Sequence, residues 1–351
     1  MIIGVDPHKG SHTATALNPA TNAAAASLRI DATLAGYRQL LRWGKAFPER
    51  QWAIENAHGL GQHLAQWLIA RGETVVDVRT TATARVRELS RGGRRKNDVL
   101  DASAAASVAA AHGDASLVAP EDETTVFALL EEHRTNLAAH RVRLVNQLHA
   151  LLRDLVPGGA RPALTAQAAT ALLRGLRPVS TAERCRKDLA RELVREIRAV
   201  DARLVQIAER MAEALRARST RLLQVQGIGP VLAVRLIGRT GHASRFPSAA
   251  AFASYAGVAP VEVSSGDRVR HRLSRSGDRQ LNCALHLVAV TQVRMPLSIG
   301  RSYYDRKIAE GKTHKEAMRC LKRRISSHVW RLMLLDERRG EEPTSGRSPI
   351  A

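Results

Sequence analysis

Residues 1–118 alternate short apolar segments with amphipathic ones, and this alternation limits the possible folds more than any other feature. The segments with the length and pattern of strands are MIIGVD, SHTATALN, AAASLRID, QWAIE and ETVVDV. The segments with helical spacing are LAGYRQLLRWGKAF, GLGQHLAQWLIARG and the alanine-rich residues 98–112. Strands that alternate with helices in this way predict an α/β domain that ends near residue 118.

Four carboxylates occupy positions that such a fold would bring together. Asp6 closes the first strand and Glu55 closes a later one, and sites in α/β sheets usually form at strand ends. Asp98 and Asp101 are three residues apart at the start of a predicted helix, so they share a face. Each acid alone is explained by a solvated charge or a helix cap, and Asp98 could cap the helix after Asn97.

The four acids are a candidate metal site in a chain whose net charge is strongly positive. The formal net charge is +21, which predicts a polyanionic partner, most simply nucleic acid. Codon usage is a competing explanation for part of the arginine excess. Acids that converge in a protein need cations, and hard oxygen ligands suit Mg²⁺ or Mn²⁺. Two such ions could clamp a scissile phosphodiester.

Two arginine-rich segments are candidates for contacts with phosphates. RRK precedes the two helical aspartates and is either a solvated basic turn or a phosphate contact. The second segment, residues 259–279, is predicted to be a polar loop. From their chemistry alone, its serines are loop residues without an activating base, namely Ser264, Ser265, Ser274 and Ser276. Aromatic residues make up only 3%, which argues against a base-stacking platform.

The middle of the chain is predicted to be helical. A leucine stripe over residues 144–155 stops at PGG. A longer seam then follows a spacing of alternating threes and fours, as in a coiled coil, through Leu189, Leu193, Ile197, Val200, Leu204, Ile207, Met211 and Leu215. The seam fits a helical hairpin within one subunit and a dimer interface equally well.

A third segment begins with RLLQVQGIGPVLAVRLIG and has the pattern of a helix-hairpin-helix. In that motif, glycines such as Gly227 and Gly229 let the backbone N–H groups approach a phosphate. A plain packing corner between two helices explains the glycines almost as well. Helices are expected to about residue 335, and residues 336–351 have the composition of a disordered tail.

The remaining residues bear on the compartment of the protein. Cys185, Cys283 and Cys320 have no zinc-site spacing and are expected to be reduced thiols. No apolar run is long enough to cross a bilayer, and the first residues lack a signal-peptide pattern. These features predict a cytoplasmic protein without a membrane partner.

Several segments together resemble the DEDD-type transposases of bacterial insertion sequences, the group called family one-ten, which are described as bridge-RNA-guided recombinases. The resemblance extends from residue 2 to about residue 335 and follows the order of the family. It is carried by IIGVDPHKGSHTATALN, WAIENAHGLG, RRKNDVLDASAAA, LLQVQGIGPVLAVRLIG and FASYAGVAPVEVSSGDRVRHRLSRSGDRQLNCAL.

The resemblance implies a fold and a division of labour. Residues 1–118 would be a RuvC-like domain of the RNase H fold, 119–218 a helical coiled-coil region, and 219–335 a mainly helical transposase domain. Asp6, Glu55, Asp98 and Asp101 would hold Mg²⁺ or Mn²⁺ in the first domain. The catalytic serine of the family aligns with Ser265 through YAGVAP and SG.

The implied function is DNA recombination. Ser265 would attack a DNA phosphate to form a phosphoserine link, in a homodimer or tetramer that joins the acids of one subunit to the serine of another. A structured guide RNA would pair with donor and target DNA. Phosphate backbones would be bound by Arg94, Arg95, Lys96, Arg268, Arg270 and Arg272. The alternatives are a Holliday-junction-type nuclease, in which water attacks, and a non-catalytic nucleic-acid scaffold.

Overall fold

The chain forms two compact units, of which the first spans Met1–Glu121 and the second begins at Asp122. The first is built around a mixed sheet and the second is mostly helical, which confirms the coarse prediction of an α/β region followed by helices. The further division at residues 118 and 218 stays a prediction. The structure, a computed structural model, describes residues 1–89, 97–111, 115–265, 268–273 and 277–341.

The first unit contains six strands and four helices among its described residues. The strands are β1 Ile2–Pro7, β2 Ser11–Asn18, β3 Ala23–Asp31, β4 Gln51–Glu55, β5 Val75–Val78 and β6 Ala115–Leu117. The helices are α1 Leu34–Gly44, α2 Gln62–Ile69, α3 Thr80–Leu89 and α4 Asp98–Ala110. In the sheet order β3-β2-β1-β4-β5-β6, only the β1–β4 and β4–β5 pairs are parallel. The five strands read from the sequence are therefore confirmed.

Successive side chains of β1 point to opposite faces of the sheet, so this strand contributes to two separate parts of the core. Ile3 and Val5 point to one face, where they pack with side chains of α1 and α2 such as Leu40 and Leu64. The alternate positions, Ile2, Gly4 and Asp6, point to the opposite face, where α4 packs. The same alternation buries Trp52 and Ile54 with the first group and Ala53 with the second.

Helix α3 and strand β6 lie outside the predicted elements. Helix α3, TTATARVREL, begins with β-branched and small residues and has no long apolar stripe, so its periodicity is weak. Strand β6 has only three residues, two of them exposed, and it pairs antiparallel with β5 at the edge of the sheet. Both elements depend on the neighbouring sheet and helices more than on their own pattern.

The second unit begins with a pair of long helices. Its helices are α5 Glu123–Arg153, α6 Ala166–Gly175, α7 Thr181–Arg218, α8 Pro230–Thr240, α9 Ala249–Tyr255, α10 Arg279–Arg294, α11 Ile299–Ala309 and α12 His314–Glu341. Ile197 and Val200 of the predicted seam pack with Leu144 and Leu148 of α5, whereas Leu189 is 45% exposed. The seam is thus covered largely by the same chain, and pairing of coiled coils between subunits stays a prediction.

Two elements of the second unit differ from the prediction. Residues 259–279 contain two antiparallel strands, β7 Pro260–Ser265 and β8 Arg268–Leu273, where a polar loop was expected. Both strands alternate valine or leucine with polar residues, and the high polar content hid this alternation. Helix α12 continues past residue 335 because Asp336 accepts hydrogen bonds from the Thr220 hydroxyl and the Arg221 N–H, at 2.8 and 3.0 Å.

No single helix among the described residues is long and apolar enough to cross a membrane. The bent pair formed by α10 and α11 satisfies length and composition only when the two helices are taken together across an 84° bend.

Candidate metal centre

Two predicted acids lie at adjacent strand ends because β1 and β4 are parallel. Their register places Val5 opposite Ile54, so Asp6 and Glu55 come next on the two strands. Both follow the alternation that points toward α4 rather than toward α1 and α2. The carboxyl ends of parallel strands are where ligand sites form in open α/β sheets.

Helix α4 brings the other two acids to the same place. Asn97 is its N-cap, with a side-chain oxygen that accepts from the Val99 N–H at 3.0 Å. The alternative interpretation of Asp98 as the cap is therefore wrong, and Asp98 is free to point toward the sheet. Asp98 and Asp101 both lie in the first turn, where the positive end of the helix dipole favours anions.

A histidine joins two of these acids. His8 Nε2 lies 3.2 Å from Asp6 Oδ2 and 3.4 Å from Asp98 Oδ1. One donor atom from each of Asp6, His8 and Asp98 lies within 4.8 Å of the other two, which is close enough for all three to bind one ion. The structure thus places Asp6 and Asp98 together as the sequence predicts, and it adds His8 to them.

Two arginines neutralise the aspartates of α4. Arg29 Nη1 of β3 lies 3.1 Å from Asp98 Oδ2, and Arg87 Nη1 of α3 lies 2.8 Å from Asp101 Oδ1. The Asp98 side chain is 29% exposed, whereas that of Asp101 is 5% exposed. Asp101 is therefore a buried, paired carboxylate, and Asp98 is the more accessible of the two.

The pKa of Glu55 depends on its burial and on the charges of the neighbouring acids. Burial raises the pKa of its carboxyl group above the ordinary value, and a hydrogen bond with Thr83 opposes this shift. The negative charges of Asp6 and Asp101 raise the pKa of Glu55 further, while Arg87 lowers it. The fourth predicted acid is thus close enough to the others to interact with them.

The donor set fits a divalent cation. Carboxylate oxygens suit Mg²⁺ and Mn²⁺, and an imidazole nitrogen is better matched to Mn²⁺ and other transition ions than to Mg²⁺. A cation bound here would also offset the repulsion that raises the pKa of Glu55. The identity of the metal and the participation of all four acids as ligands stay predictions.

Three residues of this centre were missed by the sequence analysis. His8 follows Asp6 by two positions, a spacing that extends the same strand face and was a usable signal. Arg29 lies on β3, which is two strands away from β1 in the sheet, and its side chain contacts Asp98 of α4. No local sequence pattern indicates that contact. Arg87 lies on α3, a helix that the sequence pattern did not reveal.

The other predicted site residues lie either outside the described residues or in the second unit. Arg94, Arg95 and Lys96 lie outside the described residues. The hairpin β7–β8 carries Ser265, which pairs in register with Arg268, as well as Arg270 and Arg272. For these four residues only the backbone is described, and both strands belong to the second unit.

The glycine segment has a mixed outcome. It is preceded by a 3-10 helix of four residues, Arg221–Gln224, so only α8 supplies a full helix beside it. Gly227 has a φ of +89° and packs against Thr291 of α10, and Gly229 is the N-cap of α8 without a side-chain cap. The contact with α10 favours the packing corner, and phosphate binding by the two glycines stays a prediction.

Comparisons with known proteins identify the family. A profile for the DEDD transposases of IS110 matches residues 3–157, and one described as "Transposase IS116/IS110/IS902 family" matches residues 219–305. A 43.6 kDa protein of insertion element IS110 from Streptomyces coelicolor is 31% identical over 67% of this chain and 70% of its own length. The chain belongs to the IS110 family of DEDD transposases.

Two further relatives extend this match along the chain. A 44.8 kDa protein of insertion element IS116 from Streptomyces clavuligerus is 29% identical over 96% of this chain and 95% of its own length. A 42 kDa protein of insertion element IS900 from Mycobacterium paratuberculosis is 28% identical over 81% of this chain and 83% of its own length. Membership of the IS110 family implies DNA transposition by cutting and rejoining, with DNA as the substrate.

In this IS110-family protein, Glu55→Gln is expected to increase the free energy of unfolding at pH 7 in buffer that contains a chelator. The raised pKa means that the ionised carboxylate is less favourable in the folded chain than in the unfolded chain. Its destabilising effect is absent below the unfolded pKa and grows as the pH rises through the folded pKa. The gain from glutamine should therefore appear in urea titrations as the pH rises above 4.5, the ordinary pKa of this group.

The matched control for this change is Glu49→Gln, which removes the charge of an exposed residue beside the start of β4. We expect it to leave stability unchanged over the same pH range. A Glu55→Gln chain that is less stable than the parent at every pH would show that the hydrogen bond with Thr83 outweighs burial and repulsion.

Proposed function

We propose that this chain is a DNA recombinase that moves its insertion element by a metal-assisted attack of Ser265 on a DNA phosphodiester. The observation that carries the proposal is the convergence of Asp6, His8 and Asp98 at one end of the sheet, with Glu55 and Asp101 beside them. We assign the first unit to the RuvC-like class on the support of its six-stranded mixed sheet and the DEDD family match.

In the proposed mechanism the acids position the scissile phosphate. Asp6, Asp98 and His8 would hold a divalent ion together with Glu55 and Asp101, and Mg²⁺ or Mn²⁺ are the proposed ions. When bound, the ion supplies Lewis-acid stabilisation of charge on the phosphate oxygens. The ion pairs with Arg29 and Arg87 fix Asp98 and Asp101 in orientation, so the donor atoms are organised before DNA binds.

In this proposal Ser265 is the nucleophile that forms and later releases the covalent bond to DNA. Its hydroxyl oxygen bonds to phosphorus, the P–O bond to one deoxyribose oxygen breaks, and that oxygen takes up a proton from water. The serine proton passes to solvent or to a basic group of the assembled site. A deoxyribose hydroxyl then attacks the phosphoserine and loses its proton, the bond between phosphorus and the Ser265 oxygen breaks, and the serine oxygen takes up a proton. The DNA is thereby rejoined without an external energy source. The support for Ser265 is its place in the YAGVAP and SG segments, within residues 219–305 of the family match.

We further propose that a structured RNA guides the reaction and that subunits of a homo-oligomer combine their acids and serines. The net charge of +21 supports binding of more than one nucleic acid, and the scarcity of aromatic residues argues against recognition by base stacking. Sequence recognition by base pairing would leave the protein to bind backbones, which is what arginine-rich surfaces do.

Covalent trapping tests the proposed nucleophile. Parent, Ser264→Ala and Ser265→Ala chains are incubated with DNA that carries the ends of the element, the matching RNA and Mn²⁺, and then denatured with detergent. We expect a protein–DNA adduct with the parent and with Ser264→Ala. Ser265→Ala should form none and should cut at least about 10³-fold more slowly, because loss of a nucleophile removes a whole reaction path.

The remaining outcomes separate the alternatives. Normal cutting by Ser265→Ala without an adduct in any chain would mean that water attacks, as in a Holliday-junction-type nuclease. An adduct with Ser265→Ala but not with Ser264→Ala would move the nucleophile by one position. Binding of DNA without cutting by the parent would favour a non-catalytic scaffold.

A further inference from the structure

A basic pocket lies in the second unit, beside the start of the β7–β8 hairpin. Its volume is about 690 Å³, and one wall is formed by Val258, Ala259 and Pro260, where β7 begins. The opposite wall is formed by α12 and by Tyr303 of α11. Five cationic side chains line it, namely Lys312, Arg319, Lys322, Arg323 and Arg324, and we call this cavity the α12 pocket.

The cations of the α12 pocket outnumber the acids among its described lining residues. The only carboxylate among its described lining residues is Glu316. The Glu316 carboxylate already accepts hydrogen bonds from the Thr313 N–H and hydroxyl, at 2.9 and 2.7 Å, at the start of α12. Among the side chains that the structure describes, which exclude those of residues 261–276, no carboxylate lies within 4.0 Å of the five cations, and Glu316 interacts with Arg319 and Lys312 only at longer range. The pocket therefore has a large positive potential that an anion would relieve.

Of the five cations, Lys322 gives the strongest indication that the α12 pocket binds an anion. The residue is 8% exposed, and Nζ donates a hydrogen bond to Asn282 Oδ1 at 2.5 Å. The Asn282 amide in turn donates to the Gly257 carbonyl at 2.7 Å, so the lysine is oriented by α10 and by the loop before β7. Burial lowers the pKa of Lys322, and both burial and Lys322 lower the pKa of His286. A buried ammonium held by a neutral amide is costly unless an anion reaches it.

Two arginines of the pocket have guanidinium groups that neighbouring side chains hold in orientations suited to binding phosphate. Arg324 lies over the Tyr303 ring, with Cζ 4.8 Å from the ring centroid, and its planar group keeps its N–H edges free for an acceptor. Arg323 Nη1 donates to Ser327 Oγ at 2.5 Å, one turn further along α12. Guanidinium groups fixed in this way bind phosphate oxygens through paired hydrogen bonds.

We propose that the α12 pocket binds the phosphodiester backbone of a nucleic acid. Five cations around one cavity can contact more than one phosphate, which favours a polymer over a free phosphate. The strand register puts Pro260 opposite Leu273 at the open end of the hairpin, and Ser265 opposite Arg268 at its far end. These ends are about 16 Å apart at ~3.3 Å per residue, so a bound backbone would continue toward Ser265. Only this placement of the backbone toward Ser265 rests on the proposed function.

Binding measurements on the full chain test the pocket. Fluorescence anisotropy is recorded against salt concentration with labelled duplex DNA, single-stranded DNA and hairpin RNA. Arg319→Ala/Arg323→Ala is compared with Arg191→Ala/Arg195→Ala on α7, which removes the same charge from exposed side chains. We expect the pocket variant to lose affinity and to reduce the salt slope by about one per lost phosphate contact, while the α7 variant changes neither. The probe that loses affinity identifies the nucleic acid bound.

Lys322→Met separates binding from a structural role. Methionine is similar in size and removes the buried charge, so we expect equal or greater resistance to urea together with weaker binding of the same probe. A structural lysine would give the opposite pattern, with lower stability and unchanged binding by the folded chain.

The outcomes also distinguish this inference from the proposed function. Affinities and salt slopes that are equal for the pocket and α7 variants with all three probes would overturn the α12 pocket as a binding site, whatever Ser265→Ala does. Loss of binding in the pocket variants, with normal cutting by Ser265→Ala, would retain the pocket and remove the serine mechanism.

Discussion

Replacing Asp6 with asparagine is expected to slow DNA strand cleavage by a factor of about 10³ or more, because a lost metal ligand removes several kcal/mol of transition-state stabilisation. Asparagine keeps the size of the side chain and removes the charge that faces His8 Nε2. Single-turnover cutting in Mn²⁺ gives the rate. Thermal unfolding with and without Mn²⁺ gives a second readout, and the metal-dependent rise in Tm of the parent should be absent.

The control is Glu49→Gln, which makes the same loss of charge at the opposite end of the sheet, beside the start of β4. It should cut DNA and respond to Mn²⁺ like the parent. Because the charge of Asp6 raises the pKa of Glu55, its removal relieves repulsion and should not unfold the first unit. Cutting at the parental rate by a folded Asp6→Asn chain would mean that the acids are not a working site.

The acidic centre was largely predictable because its parts follow local rules. Asp6 and Glu55 close apolar strands, and any parallel pairing of those strands in a common register puts them side by side. Asp98 and Asp101 are related by the spacing of one helical turn, which is independent of the rest of the fold. Such relations can be read from neighbouring residues alone.

The rest of the centre depends on contacts between distant residues. Arg29 meets Asp98 across 69 positions of sequence, and only the order β3-β2-β1 in the sheet brings them together. The continuation of α12 past residue 335 likewise includes Asp336, whose hydrogen-bond partners Thr220 and Arg221 are more than 100 positions away. Neither periodicity nor spacing encodes these pairs, because tertiary packing decides them.

The β7–β8 hairpin was missed for a different reason. Its strands are separated by Gly266 and Asp267, a pair of residue types that favours tight two-residue hairpins. Serines and arginines outnumber apolar residues around them, so the composition suggested a loop even though Val261 and Val263 alternate with polar positions. Alternation is the stronger signal, since it follows from the pleat of a strand, and composition is only a correlate.

Gly4→Ala is expected to destabilise the first unit by about 1–3 kcal/mol, which is typical of overpacking. A Cβ atom at this position would lie 1.9 Å from the Ala102 carbonyl oxygen and 2.7 Å from the Ala106 nitrogen. Both atoms belong to the backbone of α4, so a change of rotamer cannot remove the clash and the helix must move. Tryptophan fluorescence during urea unfolding reports on this unit, because it holds Trp43, Trp52 and Trp67 of the four tryptophans.

The same change should damage the site more than the fold. Displacement of α4 carries Asp98 and Asp101 away from Asp6, and a shift of about 1 Å at a reacting centre can cost about 10²-fold in rate. Cutting should therefore fall by about this factor at temperatures where the chain is still folded. Gly10→Ala is the control, since nothing lies within 4 Å of its added Cβ. Equal stability and rate in the two alanine variants would contradict the packing of α4 against β1 that assembles the acidic centre.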